Sequence, residues 1–222
     1  MLLKLNIKKI ITIFTPPIFF VLKNKLVKPK INNKLFDGQN SLFKKVLSSN
    51  CVYGEYGCGA STIYACQKFN IPIISVDSSK FWVDQLKKYI EKKKINKKNL
   101  KIKYVNIGNT TQNKLGKPDD FSKSYNFKKY AHIIWKQKFK PNVVLIDGRL
   151  RVFCFLISLK LCQENTKIIF DDYNERKYYH IVEEVIKPIQ IDDRQALFII
   201  NKKKINTKKL NFYINKFEYV LD

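Results

Sequence analysis

Arginine is scarce in this chain. Only Arg149, Arg151, Arg176 and Arg194 occur among 43 basic residues, and lysine carries almost all of the formal net charge of +25. A surface of that sign points to nucleic acid or an anionic membrane. The guanidinium, however, is the usual bidentate reader of bases and phosphates. Lysines scattered over the whole length describe a generically basic surface, so a sequence-specific nucleic-acid role is disfavoured and only non-specific phosphate binding at low salt is expected. Histidine is scarcer still: His132 and His180 are too few for a zinc cluster. The five cysteines form no CxxC pair and fall mostly in apolar segments, so they read as buried free thiols in a reducing, cytoplasmic environment.

Long apolar runs are also missing. The longest candidate, residues 10–22, is flanked by lysines and interrupted by Pro16-Pro17. It falls short of the ~20 residues a spanning helix needs. No small-residue cleavage pattern follows it, which argues against a signal peptide. Two readings stay open: an arm packed on the domain or on a partner chain, or a segment lying on an anionic membrane surface. Residues 1–40 are therefore read as a basic N-terminal arm with an apolar patch, and residues 41–222 as one α/β domain.

Within that domain strands and helices alternate. Residues 41–47 read as a short helix. Strands are expected at 51–56, 71–77, 102–107, 143–146 and 167–170, with helices at 61–69, 80–93, 125–138, 152–162 and 178–186. Two last strands are expected at 197–200 and 210–214, around a lysine-rich turn. Continuous apolar strands of this kind belong to a parallel sheet covered on both faces by helices. The connection over residues 108–124 is long for a structureless loop, which marks it as functional or mobile.

Four clusters carry chemistry. Gly54-Glu55-Tyr56-Gly57-Cys58-Gly59-Ala60-Ser61-Thr62 sits where the first strand gives way to a helix. Its glycines allow a tight turn and close backbone approach, and the helix start offers unpaired N–H groups to an anion or a carboxylate. It is not a Walker A loop, since no Gly-Lys-Ser/Thr follows. Glu55 repels a pyrophosphate, but suits a ligand ammonium or a role in fixing the loop. Asp77 closes the second strand, where an acid can accept both ribose hydroxyls or cap the next helix. Asp147-Gly148-Arg149-Leu150-Arg151 follows the fourth strand, at the edge where open α/β sheets bind ligands. Arg149 or Arg151 can clamp an acceptor anion, and Asp147 can take a proton; the alternative is an ion pair that ties the loop down. Asp171-Asp172-Tyr173 follows the fifth strand, with Arg176 and Tyr178-Tyr179-His180 downstream. Asp172, Tyr173 and Arg176 are candidate acceptor contacts, and His180 is either a base or a satisfied helix histidine. Without a further carboxylate at a fixed position, no metal site is expected.

The ordered set Glu55-x-Gly57-x-Gly59-x-Ser61-Thr62, Asp77, Asp147-Gly148-Arg149 and Asp171-Asp172-Tyr173 resembles the class I S-adenosylmethionine-dependent methyltransferase superfamily. It is most similar to a small bacterial-type branch, with further likeness at residues 52–62, 107–110, 116–118, 147–154 and 178–180. The resemblance covers residues 36–200. It implies a three-layer Rossmann-like fold with a mostly parallel seven-stranded sheet whose last strand is antiparallel. It implies S-adenosylmethionine as cofactor, with its methionine part at the loop Glu55–Gly59 and its ribose on Asp77. Gly57, Gly59, Ser61 and Thr62 fall in the same cofactor loop. Ala60 departs from a position that is often glycine. No Asn/Asp-Pro-Pro-Tyr motif follows the fourth strand, which argues against methylation of base amines.

The expected activity is methyl transfer to an oxygen of a small molecule or glycan, with Asp147 or His180 as proton acceptor and Arg149 and Arg151 holding the acceptor. An RNA methyltransferase and a non-catalytic scaffold of the same fold are the rivals. A nicotinamide oxidoreductase is disfavoured by Glu55 and by the missing third glycine. No oligomeric state is read from the sequence.

Overall fold

The computed structural model describes residue 35 and residues 41–96, 98–110 and 116–221. The N-terminal arm lies outside the described residues. The first helix, α1 (Ser41–Val46), leads into β1 (Tyr53–Tyr56), α2 (Ala60–Lys68), β2 (Ile73–Asp77), α3 (Lys80–Lys92) and β3 (Leu100–Tyr104). Then come α4 (Phe127–His132), β4 (Val143–Ile146), α5 (Arg151–Leu161), β5 (Lys167–Phe170), β6 (Gln190–Asp192), β7 (Gln195–Ile199) and α6 (Thr207–Phe217).

These strands make a seven-stranded sheet in the order β3-β2-β1-β4-β5-β7-β6. The pairs β1–β2, β1–β4, β2–β3 and β4–β5 are parallel, and β7 runs antiparallel to both β5 and β6. The order reverses between β1 and β4. At such a switch point the connections leave in opposite directions and open a crevice beyond the carboxyl ends of the strands.

Alternation along each strand divides the apolar residues between two cores. Tyr53, Ile73, Val143, Leu145, Ile169 and Leu197 pack on one face with α1 and with Ala65 of α2. Tyr56, Ile74, Val76, Val144, Ile146, Ile168, Phe170 and Phe198 pack on the other with residues of α4, α5 and α6. Period-two alternation with both faces apolar gives strands that look continuously hydrophobic in sequence. Helix α5 is buried for most of its surface, as its apolar residues on every side require. Strand β3, at the sheet edge, alternates apolar and lysine residues and is largely exposed.

Three expectations are corrected. Residues 210–214 are not a strand but part of α6, because Leu210 and Ile214 sit four apart on one buried face and the Asn206 side chain accepts the Lys209 N–H as a cap. The strand that completes the sheet is β6, a short edge segment with little apolar signal. The helices expected at 125–138 and 178–186 are partly or wholly 3-10 in character: 3-10 turns at Ser124–Asn126 and Ile133–Trp135 flank the short α4, and a 3-10 stretch spans Lys177–Glu184.

Candidate active site

The loop after β1 is built around Gly57. Its φ is +90°, a conformation that L side chains rarely adopt, and a Cβ there would fall 2.8 Å from the Asp147 carbonyl oxygen. The loop amides turn inward in sequence. Gly57 N–H donates to the Val76 carbonyl (2.8 Å), Cys58 N–H to Asp77 Oδ2 (2.9 Å) and Gly59 N–H to Thr62 Oγ1 (3.0 Å). The Cβ direction of Gly59 meets nothing within 4 Å. The first amides of α2, just beyond, have no partner inside the helix. The result is a cradle of backbone at the helix start, open at Gly59.

Glu55 lies behind this cradle, fully buried. Its carboxylate accepts from Tyr53 Oη (2.8 Å), from Ser61 Oγ (2.7 Å) and from Thr62 Oγ1. Burial pushes its pKa up, and the donated hydroxyls pull against that. Since Thr62 Oγ1 also accepts from Gly59, Glu55 holds the loop through a relay of two hydrogen bonds. Glu55, Ser61 and Thr62 are therefore spent on one another. They shape the loop.

Asp77 ties the loop to the next crossover. One carboxylate oxygen accepts the Cys58 N–H, and the other accepts the Ser79 N–H at 2.7 Å. The helix-cap role is the one seen here, and each oxygen keeps a second lone pair after making its backbone bond. Burial raises the Asp77 pKa, and among its neighbours the Arg149 charge acts to lower it.

Across the switch point, Asp147-Gly148-Arg149 turns under Tyr130. A Cβ on Gly148 would overlap the Tyr130 hydroxyl and lie 2.7 Å from the Gly57 nitrogen. The chain then passes through Leu150 in the left-handed region (φ 56°) into α5, and Arg151 folds back. Its Nε donates to Gly148 O (3.0 Å), Nη1 to Asp171 O and Asp172 Oδ2 (both 2.8 Å), and Nη2 to Asp147 O (3.3 Å) and Oδ1 (3.0 Å). A guanidinium has five N–H donors, and these five acceptors are all protein. Arg151 ties the loop down instead of holding the acceptor.

The same correction applies to Asp172 and Tyr173. Asp172, at φ 58°, receives Arg151 and Arg176 on Oδ2 (2.8 Å each) and Arg194 on Oδ1. Tyr173 is buried and donates to Glu183 Oε1 at 2.8 Å. His180 stacks on the Tyr173 ring at 4.6 Å, with Nε2 3.1 Å from the Tyr173 carbonyl. Its side chain is 37% exposed and is held by these contacts with Tyr173. Arg176 remains partly exposed and also reaches Tyr179 Oη at 3.2 Å. The side chain of Asp147 keeps 31% of its surface exposed, more than those of Asp171 and Asp172 on this rim.

Comparison with known proteins gives the frame for this geometry. No protein-family model matches the sequence, and no curated protein matches it. Among solved structures, a methyltransferase-like protein from Silicibacter pomeroyi is similar over 85% of this chain and 97% of its own, at 26% identity and a TM-score of 0.71. The chain has the class I methyltransferase fold. A methyltransferase from Geobacter sulfurreducens also aligns, over 82% of this chain and 96% of its own, at 8% identity and a TM-score of 0.49. In the methyltransferase fold the glycine loop, Asp77 and Asp147 stand together at the switch point between β1 and β4. Sequence reasoning missed Tyr130, Arg194 and Gln195 as members of the rim. One signal was available: β7 is antiparallel, so the turn holding Arg194 returns to the tips of β4 and β5.

Proposed function

We propose that this protein is an S-adenosylmethionine-dependent methyltransferase that methylates an oxygen of a small molecule or glycan. The observation that carries the reading is the Cys58 N–H to Asp77 Oδ2 bond of 2.9 Å beside the open Cβ direction of Gly59. It brings the helix-start amides, an acid at the tip of β2 and free space together at the topological switch point. That donor set fits the cofactor: amides for a carboxylate, Asp77 for a ribose diol, and a glycine that lets the ligand approach the backbone. When bound, the cofactor supplies an electrophilic methyl group.

The chain's own residues do the rest. The loop over Gly57–Gly59 and the start of α2 hold the amino-acid end, and Asp77 holds the ribose. Asp147 accepts the proton of the attacking hydroxyl from its exposed side. Arg149 and Arg176 supply positive charge at the edge of the acceptor site. Orientation across the strand tips supplies much of the rate in a displacement that needs little other acid–base help.

The RNA alternative draws on the net charge, but three of the four arginines are paired with aspartates on this rim. Among the described residues no helix is long and apolar enough to cross a membrane. A cytoplasmic location, and membrane contact through residues 1–40, belong to the proposal.

Calorimetry with S-adenosylmethionine and S-adenosylhomocysteine tests the cofactor. Wild type should bind both, and Asp77→Asn about ten- to a hundredfold more weakly, as loss of hydrogen bonds to a charged group implies. Absence of binding to either ligand by the wild type would leave the scaffold reading in place. Transfer of labelled methyl to cell extract, repeated with Asp147→Asn, tests the chemistry.

A further inference from the structure

Asp147 and Asp171 stand side by side. In the parallel pair β4–β5, Ile146 is opposite Phe170, and the ladder runs one step further through the Asp171 N–H to Ile146 carbonyl bond of 3.0 Å. The next residue on each strand therefore projects from the same face, one strand spacing of about 4.8 Å away from its neighbour. Arg151 bridges the two residues, donating from Nη2 to Asp147 Oδ1 (3.0 Å) and from Nη1 to the Asp171 carbonyl (2.8 Å). Their settings differ: the Asp147 side chain is 31% exposed at the tip, and that of Asp171 is 1% exposed behind it.

Charged neighbours surround the pair on every packed element. Arg151 of α5 reaches Asp147 Oδ1 at 3.0 Å, and buried Glu55 of β1 lies close enough to raise the Asp147 pKa. On Asp171, Arg194 reaches Oδ2 and Gln195 reaches Oδ1, each at 2.9 Å. Asp172 competes for the same cations, since Arg151, Arg176 and Arg194 all bind it. Asp147 and Asp171 thus each share their arginine with Asp172. An ionised carboxylate has no donor, so two carboxyls can hydrogen-bond only when one holds a proton.

We propose that Asp147 and Asp171 share one proton, and that Asp171 is a positioning residue that aims the free oxygen of Asp147 at the methyl acceptor. The proposal rests on the reading of Asp147 as the proton acceptor. The acceptor O–H bond breaks toward that oxygen, and the proton leaves to water from the exposed side of Asp147. Burial, and the Asp147 charge beside it, push the Asp171 pKa up to about 7, while burial raises Asp147 as well. Such a pair titrates as a unit.

The test is a carboxyl-carbon NMR titration of the full chain without ligand, from pH 4 to pH 9, on wild type, Asp171→Asn and Asp147→Asn. In wild type, one shared midpoint well above the ordinary aspartate range should move both signals together. In Asp171→Asn the amide donates permanently, and Asp147 should titrate lower by about one pH unit or more. In Asp147→Asn, Asp171 should drop likewise, because the neighbouring charge is gone. Two independent titrations in the ordinary range in wild type would overturn the pair. The pH–rate profile then joins the two ideas: the wild-type rate should fall on the alkaline side at the NMR midpoint, where the shared proton is lost, and Asp171→Asn, whose amide keeps its hydrogens, should remove that alkaline limb; an unmoved limb would remove Asp171 from positioning. If coupled titration is seen but no methyl transfer occurs with any acceptor, the proton sharing stands and the enzymatic reading fails.

Discussion

Gly57 and Gly148 press backbone to backbone: a Cβ on the first would lie 2.8 Å from the Asp147 carbonyl oxygen, and a Cβ on the second 2.7 Å from the Gly57 nitrogen. The loops after β1 and β4 are locked together at these two residues. Gly57→Ala adds left-handed strain to the clash and should cost about 1–3 kcal/mol of stability. Gly59→Ala makes the contrast, because its Cβ meets nothing within 4 Å. It should change stability by less than about 1 kcal/mol and still weaken S-adenosylmethionine, since the new methyl enters the crevice. Urea unfolding and calorimetry on both variants separate the two effects. Unchanged affinity in Gly59→Ala would place the ligand elsewhere.

The arginines on the rim differ in what depends on them. Arg151 is buried and meets Asp147, Asp172 and three carbonyls. Arg151→Met leaves buried carboxylates uncompensated and should cost about 3–5 kcal/mol. Arg176 is 38% exposed and shares Asp172 with two other guanidiniums. Arg176→Ala should cost only about 1 kcal/mol after screening by solvent. Equal losses in denaturant melts would show that the network does not divide in this way.

Stability should fall as pH rises through neutrality. The folded-state pKa of Asp171 is raised from 3.8 to about 7 by burial and by Asp147, and those of Glu55 and Asp77 are raised by burial. Between the unfolded and folded values the native state holds more protons than the unfolded chain, so the slope of unfolding free energy against pH is negative there. The contribution is fully present below about pH 4 and lost by about pH 7 to 8. Thermal melts from pH 5 to 8 should show a declining midpoint for wild type and a flatter one for Asp171→Asn. A midpoint that climbs over this window would contradict the assigned direction.

Much of this was legible in the sequence, and the failures share a physical cause. β4 and β5 were placed to the residue because apolar runs of four and three residues ended in acids at Asp147 and Asp171. The glycine turn and Asp77 announced themselves by type and spacing. What sequence could not reveal is where a polar side chain finds its partner. Arg151, Asp172 and Tyr173 looked like ligand contacts because charged and phenolic groups at strand tips usually face a crevice. Here the left-handed backbone at Leu150 and Asp172 turns them inward. Residues 210–214 misled because an Ile- and Tyr-containing stretch favours strands locally, whereas packing of α6 against the core fixed a helix. Lysine-rich β3 and short β6 showed weak patterns because edge strands bury little.

Lysine on the surface makes one prediction about nucleic acid. With a formal charge of +25 and its arginines gathered at 149, 151, 176 and 194, the chain has abundant point charges and few guanidiniums left to read a base. Binding to RNA or DNA should therefore be counterion-driven and indifferent to sequence, falling steeply between about 50 and 200 mM salt. Fluorescence anisotropy with several unrelated oligonucleotides across that range measures both properties. An affinity that persists at high salt, or that separates one sequence from the rest by more than about tenfold, would revive the RNA methyltransferase reading. Arg149→Ala should leave the salt slope nearly unchanged, because a single phosphate contact alters it by only about 1.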